Sequence, residues 1–104
     1  MQEENKEQMA LYKMNILTKE DWVNFKELFE KVHTGFFTRL ERKVPSLTPA
    51  ETRLICLIKM GQQTEQMAAK LGVSVGTINK TRYRLRKKVK MPRKNSIVKL
   101  TESI

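Results

Sequence analysis

Trp22, Phe25, Phe29, Val32, Phe36, Phe37 and Leu40 recur at spacings of three and four between Lys19 and Val44, which predicts helix with one buried face. Thr34 and Gly35 interrupt that period, so two amphipathic helices are expected, with Thr34 capping the second. Core packing is the commoner use of such an aromatic stripe than a ligand pocket or partner groove. Residues 1–18 are polar, with scattered Met9, Leu11, Tyr12, Met14, Ile16 and Leu17. They fit either a polar N-terminal tail or the end of a helical linker. Pro45 marks a boundary, and a helix start follows it: Thr48 as N-cap, Pro49 at the first position and Glu51 closing a capping box. Leu54, Ile55, Leu57 and Ile58 supply the buried face of that helix, and Gly61 ends it.

Two short amphipathic segments hinged at Gly72 come next, in TEQMAAKLGVSVGTINKTRYRLRKKV from Thr64 to Val89. A helix-turn-helix needs a small residue where its helices cross, a turn residue free to take positive φ, and apolar residues filling the corner. Ala68, Gly72 and Ile78 stand at those places, and Met67, Leu71, Val73 and Leu85 extend the apolar seam. Thr64 is expected to cap the first of these helices, with Glu65 suiting its positive end, and Ser74 to cap the second. Beyond Pro92, Asn95 or Ser96 caps a short final helix carrying Ile97, Leu100, Thr101 and Ile104 on one side. That stripe either packs back on the chain or pairs with a copy of itself.

Spacing alone does not separate a helix-turn-helix from two ordinary bundle helices; charge does. Residues 1–65 carry ten Lys and Arg against ten Asp and Glu, whereas residues 66–104 carry eleven cations against Glu102 alone. The net charge of +10 therefore lies in the C-terminal segment, densest from Lys80 through Lys90 to Arg93 and Lys94. A merely solvated helix face mixes both signs, since like charges four residues apart repel. A one-signed face implies a polyanionic partner. A basic membrane-surface helix would need large apolar residues opposite its charges, but Ile78, Thr81, Leu85 and Val89 are committed to the core.

At 104 residues and 39% apolar composition the chain suits one small domain with a helical extension. Cys56, the single cysteine, lies in an apolar helix and reads as a buried small hydrophobe rather than a reactive thiol. No apolar run is long enough for a transmembrane span, and the polar start MQEENKEQ lacks the features of a secretory signal, which implies a cytoplasmic setting. One Cys and one His offer no metal cluster, no phosphate-binding glycine loop is present, and no carboxylate pair stands out. No enzyme, cofactor or metal is expected. A phosphoacceptor receiver domain needs more chain than precedes Pro45 and an alternating pattern that this segment lacks.

The stretch LTPAETRLICLIKMGQQTEQMAAKLGVSVGTINKTRYRLRKKV resembles the LuxR/GerE-type helix-turn-helix domain, whose pattern runs Leu-Thr-x-x-Glu, a glycine, an Ile-Ala pair, then Ser-x-x-Thr-Val. The likeness covers Leu47 to Ile104, and DWVNFKELFEKVHTGFFTRL upstream is similar to the segment preceding this domain in bacterial regulators with large sensor or repeat domains. The resemblance implies an all-α, four-helix domain in residues 45–104, preceded by the amphipathic helices of 19–44. It also implies binding of double-stranded DNA as a homodimer, with the third helix in the major groove and the fourth forming the dimer contact through Ile97, Leu100 and Ile104. A sensor domain further upstream in a longer chain is implied as well.

Carried onto this chain, the family's base-facing positions fall on Asn79, Lys80 and Tyr83, which share a face turned away from Ile78 and Leu85. Asn pairs with adenine through two hydrogen bonds and Lys reaches guanine acceptors; Tyr83 contacts a base, bonds a phosphate or packs inward. Ser74, Thr77, Arg84, Lys87 and Lys88 are expected at phosphates, fixing register without reading sequence. The chain departs from the pattern in places. Glu65 and Gln66 stand where the family has a basic residue followed by Glu, so a phosphate contact is not expected there. Thr34 stands where the upstream motif has Pro, leaving His33 as a hinge residue. Gly76 either weakens the first turn of the recognition helix or lets its backbone approach DNA closely. The expected function is sequence-specific DNA binding in transcription regulation. The alternative is a helical interaction module whose aromatic helices dock a protein and whose basic helix has only nonspecific polyanion affinity.

Overall fold

The computed structural model describes residues 2–89 and 96–104, which form seven helices and no strand. These are α1 (Gln2–Lys13), α2 (Lys19–Val32), α3 (Phe36–Lys43), α4 (Pro49–Lys59), α5 (Thr64–Leu71), α6 (Val75–Lys88) and α7 (Ser96–Ser103). None of the helices is long and apolar enough to cross a membrane.

Helix α4 is the centre of the packing. Leu54, Ile55, Cys56, Leu57 and Ile58 are all buried in succession, so the helix is enclosed on every side, with α6 and α7 against it. Its start is built as the sequence predicts. Thr48 Oγ1 accepts from the Glu51 amide at 3.2 Å and the Thr48 amide donates to Glu51 Oε1 at 3.0 Å, with Pro49 in the first turn. Gly61 follows the helix at φ 78°, a conformation glycine adopts without steric cost. The Cys56 thiol is buried and its pKa is raised, chiefly by burial, so it is held as the unreactive thiol.

The aromatic stripe is core. Phe25, Phe29 and Phe36 are fully buried, and Trp22, Val32 and Phe37 pack against them. The break at Thr34 and Gly35 is present, but Thr34 does not cap α3. Gly35 occupies the cap position at φ 80° with no side-chain cap, its amide donating to Glu30 Oε2 at 2.6 Å, while the Thr34 carbonyl accepts from Arg39 Nη1 at 2.8 Å. A cap residue ordinarily lies in extended backbone, so the left-handed turn at Gly35 removes Thr34 from that role.

Residues 2–18 form no loose tail: α1 is helical, and Leu11 and Ile16 enter the core. The connection to α2 is pinned to α5, because the Ile16 amide donates to the Lys70 carbonyl at 2.9 Å and the Lys70 ammonium donates to the Tyr12 and Met14 carbonyls. Tyr12 Oη donates to the Met60 carbonyl at 2.7 Å. Thr18 and Asp21 make a capping box for α2 that sequence reading passed over.

Helix α7 folds back. Ile97, Leu100 and Ile104 are buried in the chain's own core, so the stripe expected at a dimer contact is turned inward and unavailable for one. Lys59 Nζ donates to the Thr101 carbonyl at 3.0 Å and Arg39 Nε to the Ile104 carbonyl at 2.5 Å, tying α7 to α4 and α3. Burying these three aliphatic side chains contributes about 1.5–3 kcal/mol each. Of the two expected caps for α7, Asn95 lies outside the described residues.

Candidate nucleic-acid interface

Gly72 makes the turn between α5 and α6. Its φ is +67°, which favours glycine on conformational grounds, and the one atom near a Cβ placed there, Leu17 Cδ2 at 2.8 Å, is the tip of an exposed side chain. The Gly72 amide donates to the Ala69 carbonyl at 3.3 Å and the Val73 amide to the Ala68 carbonyl at 3.0 Å, closing the last turn of α5. Ser74 then caps α6 from an extended conformation, its Oγ accepting from the Thr77 amide at 3.1 Å. Ala68, Met67, Ile78 and Leu85 are buried in the corner.

Two local expectations fail here. Val73 is 39% exposed and does not plug the corner, because the left-handed Gly72 turns the chain outward before it. Thr64 is the first residue of α5 rather than its cap. Gln63 takes the cap position, its amide donating to Gln66 Oε1 at 2.8 Å, and Thr64 Oγ1 accepts from Arg82 Nη1 at 3.4 Å.

Helix α6 carries six Lys and Arg in 14 residues and no acid. Ile78, Thr81 and Leu85 are buried on one side; Gly76, Asn79, Lys80, Tyr83, Arg84 and Lys87 are exposed. The 3.6-residue period brings Asn79, Lys80, Tyr83 and Lys87 onto one outward stripe. Tyr83 is 51% exposed and points outward with them. Its ring is flanked by cations, Lys87 Nζ 4.9 Å and Arg86 Cζ 5.9 Å from the centroid. The stripe therefore offers amide, ammonium and aromatic groups from a rigid element whose back is fixed in the core.

The expected phosphate set divides. Arg84 and Lys87 are exposed and free of carboxylate partners among the described residues. The Ser74 and Thr77 hydroxyls lie 3.1 Å apart at the helix start and already serve the cap, which leaves their exposed lone pairs and the first-turn amides as polar groups at the helix end. Lys88 is otherwise occupied. Its ammonium stands 2.7 Å from Glu51 Oε1 and donates to the Ser46 carbonyl at 2.9 Å, so it is removed from the phosphate contacts. Nothing in the sequence signals this pair, whose members lie 37 positions apart. Arg82 is half-buried, and burial followed by the neighbouring Arg86 lowers its pKa. Lys90, Arg93 and Lys94 lie outside the described residues. Among the described residues no group of three His, Cys, Asp or Glu side chains could hold a metal ion.

Comparison of the chain with protein-family models, with curated proteins and with solved structures found no match.

Proposed function

We propose that this chain binds double-stranded DNA through α6, as a sequence-specific regulator of transcription with the LuxR/GerE-type arrangement of α4 to α7. The observation that carries the reading is the exposed, acid-free face of α6, set beyond a glycine turn and backed by Ile78, Thr81 and Leu85 in the core. An α-helix fits the major groove, and a face of one sign meets the phosphates on either side. In this reading Asn79, Lys80 and Tyr83 face bases, Arg84 and Lys87 hold phosphates, and the Ser74–Thr77 helix start adds backbone amides. A second copy, a cytoplasmic setting and an upstream sensor region belong to the same proposal. With α7 turned inward, a homodimer would have to form through another surface or on DNA alone.

Selection of random duplexes tests this. The native chain is expected to enrich a motif, and Asn79→Ala with Lys80→Ala to lose it, each good base contact discriminating by about 1–3 kcal/mol. Arg84→Ala and Lys87→Ala are expected to weaken all duplexes alike and to reduce the dependence of log affinity on log salt by about 0.9 each. Salt-sensitive binding with no enriched motif would instead favour the interaction module.

Gly76 separates two roles in one variant. Its Cβ position is open, with only Ser74 Oγ at 3.7 Å, so Gly76→Ala is expected to stabilise α6 by up to about 1 kcal/mol. If the backbone of the first turn lies against DNA, the added methyl lowers affinity for the selected site while thermal unfolding moves upward. A rise in both would leave Gly76 no part in the contact.

A further inference from the structure

Behind α6 lies a partly open cavity of about 140 Å³, walled by Ile16, Leu54, Leu71 and Ile78 and bounded by Arg53 and Thr77. It joins four parts of the fold: the α1–α2 connection, α4, the end of α5 and the first half of α6. An apolar cavity of about 150 Å³ suffices to hold benzene.

Arg53 gives this space its chemistry. Its guanidinium lies over the Trp22 ring, with Cζ 5.3 Å from the centroid, a contact that uses its charge without engaging a hydrogen-bond acceptor. Its Nε is buried and has no hydrogen-bond partner among the described residues. Arg53 also has no carboxylate within ion-pair distance among the described residues. The neighbouring hydroxyls compete poorly for an anion. Thr81 Oγ1 donates to the Thr77 carbonyl at 3.0 Å, and the Thr77 hydroxyl is paired with Ser74 Oγ.

We infer that this cavity binds a small apolar monocarboxylate, its ring or branched chain among the aliphatic side chains and its carboxylate on Arg53. One cation against apolar walls selects a single negative charge, since a second would be desolvated without a partner. Planarity favours a carboxylate, which accepts two parallel N–H donors from a guanidinium. The ligand would touch Thr77 and Ile78 from the side opposite the exposed stripe of α6. The binding site stands without the DNA reading; only its influence on DNA affinity rests on it.

Benzoate and its uncharged counterpart benzyl alcohol are the probes, titrated into the full chain without DNA and followed by amide and methyl NMR with calorimetry. Saturable benzoate binding that shifts Ile16, Leu54 and Ile78 is expected, about tenfold or more tighter than benzyl alcohol. Arg53→Gln should erase the preference for the anion. Ala50→Leu, at the exposed rim of the cavity, should block both probes while leaving the Arg53 charge in place. Equal affinity of the two probes, shifts confined to other surface cations, or unaltered benzoate binding by Ala50→Leu would each overturn the assignment. A repeat with duplex DNA then separates the claims: bound benzoate with unchanged DNA affinity denies the coupling and keeps the site, and failure to bind any duplex even without benzoate denies the DNA reading without touching the site.

Discussion

Phe29→Ala is expected to lower the unfolding free energy by about 3–5 kcal/mol, the range for deleting a buried phenyl ring. Phe29 has no exposed surface and is the hub of the aromatic cluster: its centroid lies 4.9 Å from Phe36, 5.6 Å from both Phe25 and Phe37, and 4.7 Å from the His33 ring. Those neighbours come from α2, α3 and the turn between them, so the cavity left behind is lined by rings held from several directions. Such rings collapse poorly into a void. A domain of this size has roughly 5–15 kcal/mol of stability in total, so this one substitution removes a large fraction of it. Urea unfolding followed by Trp22 fluorescence and by helix content gives the check. Both signals should move together to lower urea, because one buried cluster runs from Leu11 to Ile104 and ties α2 to the helices beyond it. A loss below about 1 kcal/mol would mean the ring is not enclosed as described.

Lys88→Met is expected to cost about 2 kcal/mol at neutral pH, within the range for leaving a buried polar or charged group without its partner. Glu51 is 2% exposed and Lys88 31%, so the carboxylate is the partner stranded by the change. In the native chain, burial raises the Glu51 pKa, but the Lys88 ammonium and the Thr48 amide outweigh it, and the pKa lies below the ordinary 4.5. A carboxyl with a lowered folded pKa contributes stability that is present above 4.5 and is lost as pH falls through the folded value. Without Lys88 only the Thr48 hydrogen bonds oppose the burial cost, so the stabilisation gained on ionising Glu51 shrinks. The difference in stability between the native chain and Lys88→Met should therefore widen as pH rises from about 4 to 7. Glu51→Gln should flatten this part of the profile. Lys87→Ala, one residue earlier on the exposed side, should leave stability nearly unchanged. In duplex binding the order inverts, with Lys87→Ala the more damaging; a larger binding loss from Lys88→Met would return Lys88 to the phosphate contacts.

Much of the helix pattern was legible because it depends on neighbours in the chain. The Thr48–Glu51 box, the Gly61 stop, the Gly72 turn and the Ser74 cap each need only residues within a few positions, and each stands where periodicity and cap chemistry put it. Thr34 and Thr64 show the limit of the same reasoning. A hydroxyl near a helix start is a cap only if its own backbone is extended there, and Gly35 and Gln63 hold those places instead. The outward stripe of α6 was legible too, since Ile78 and Leu85 announce the buried side and the remaining positions follow from the helical period.

By itself the sequence determined that the chain is helical, where most of the turns fall, and that its positive charge gathers on one helix. Short-range hydrogen bonding and the spacing of apolar residues govern all of these. Only the tertiary structure decided where long side chains end. Lys87 and Lys88 are adjacent and alike in sequence, yet one reaches solvent and the other a buried carboxylate 37 positions away. The α7 stripe of Ile97, Leu100 and Ile104 is equally apolar whether it meets a second chain or its own core; packing against α4 turned it inward. Arg53 acquired an unpartnered donor beside a cavity in the same way. The physical reason is common to all three: apolar area and charge are properties of a residue, whereas burial and pairing are properties of what the fold brings beside it.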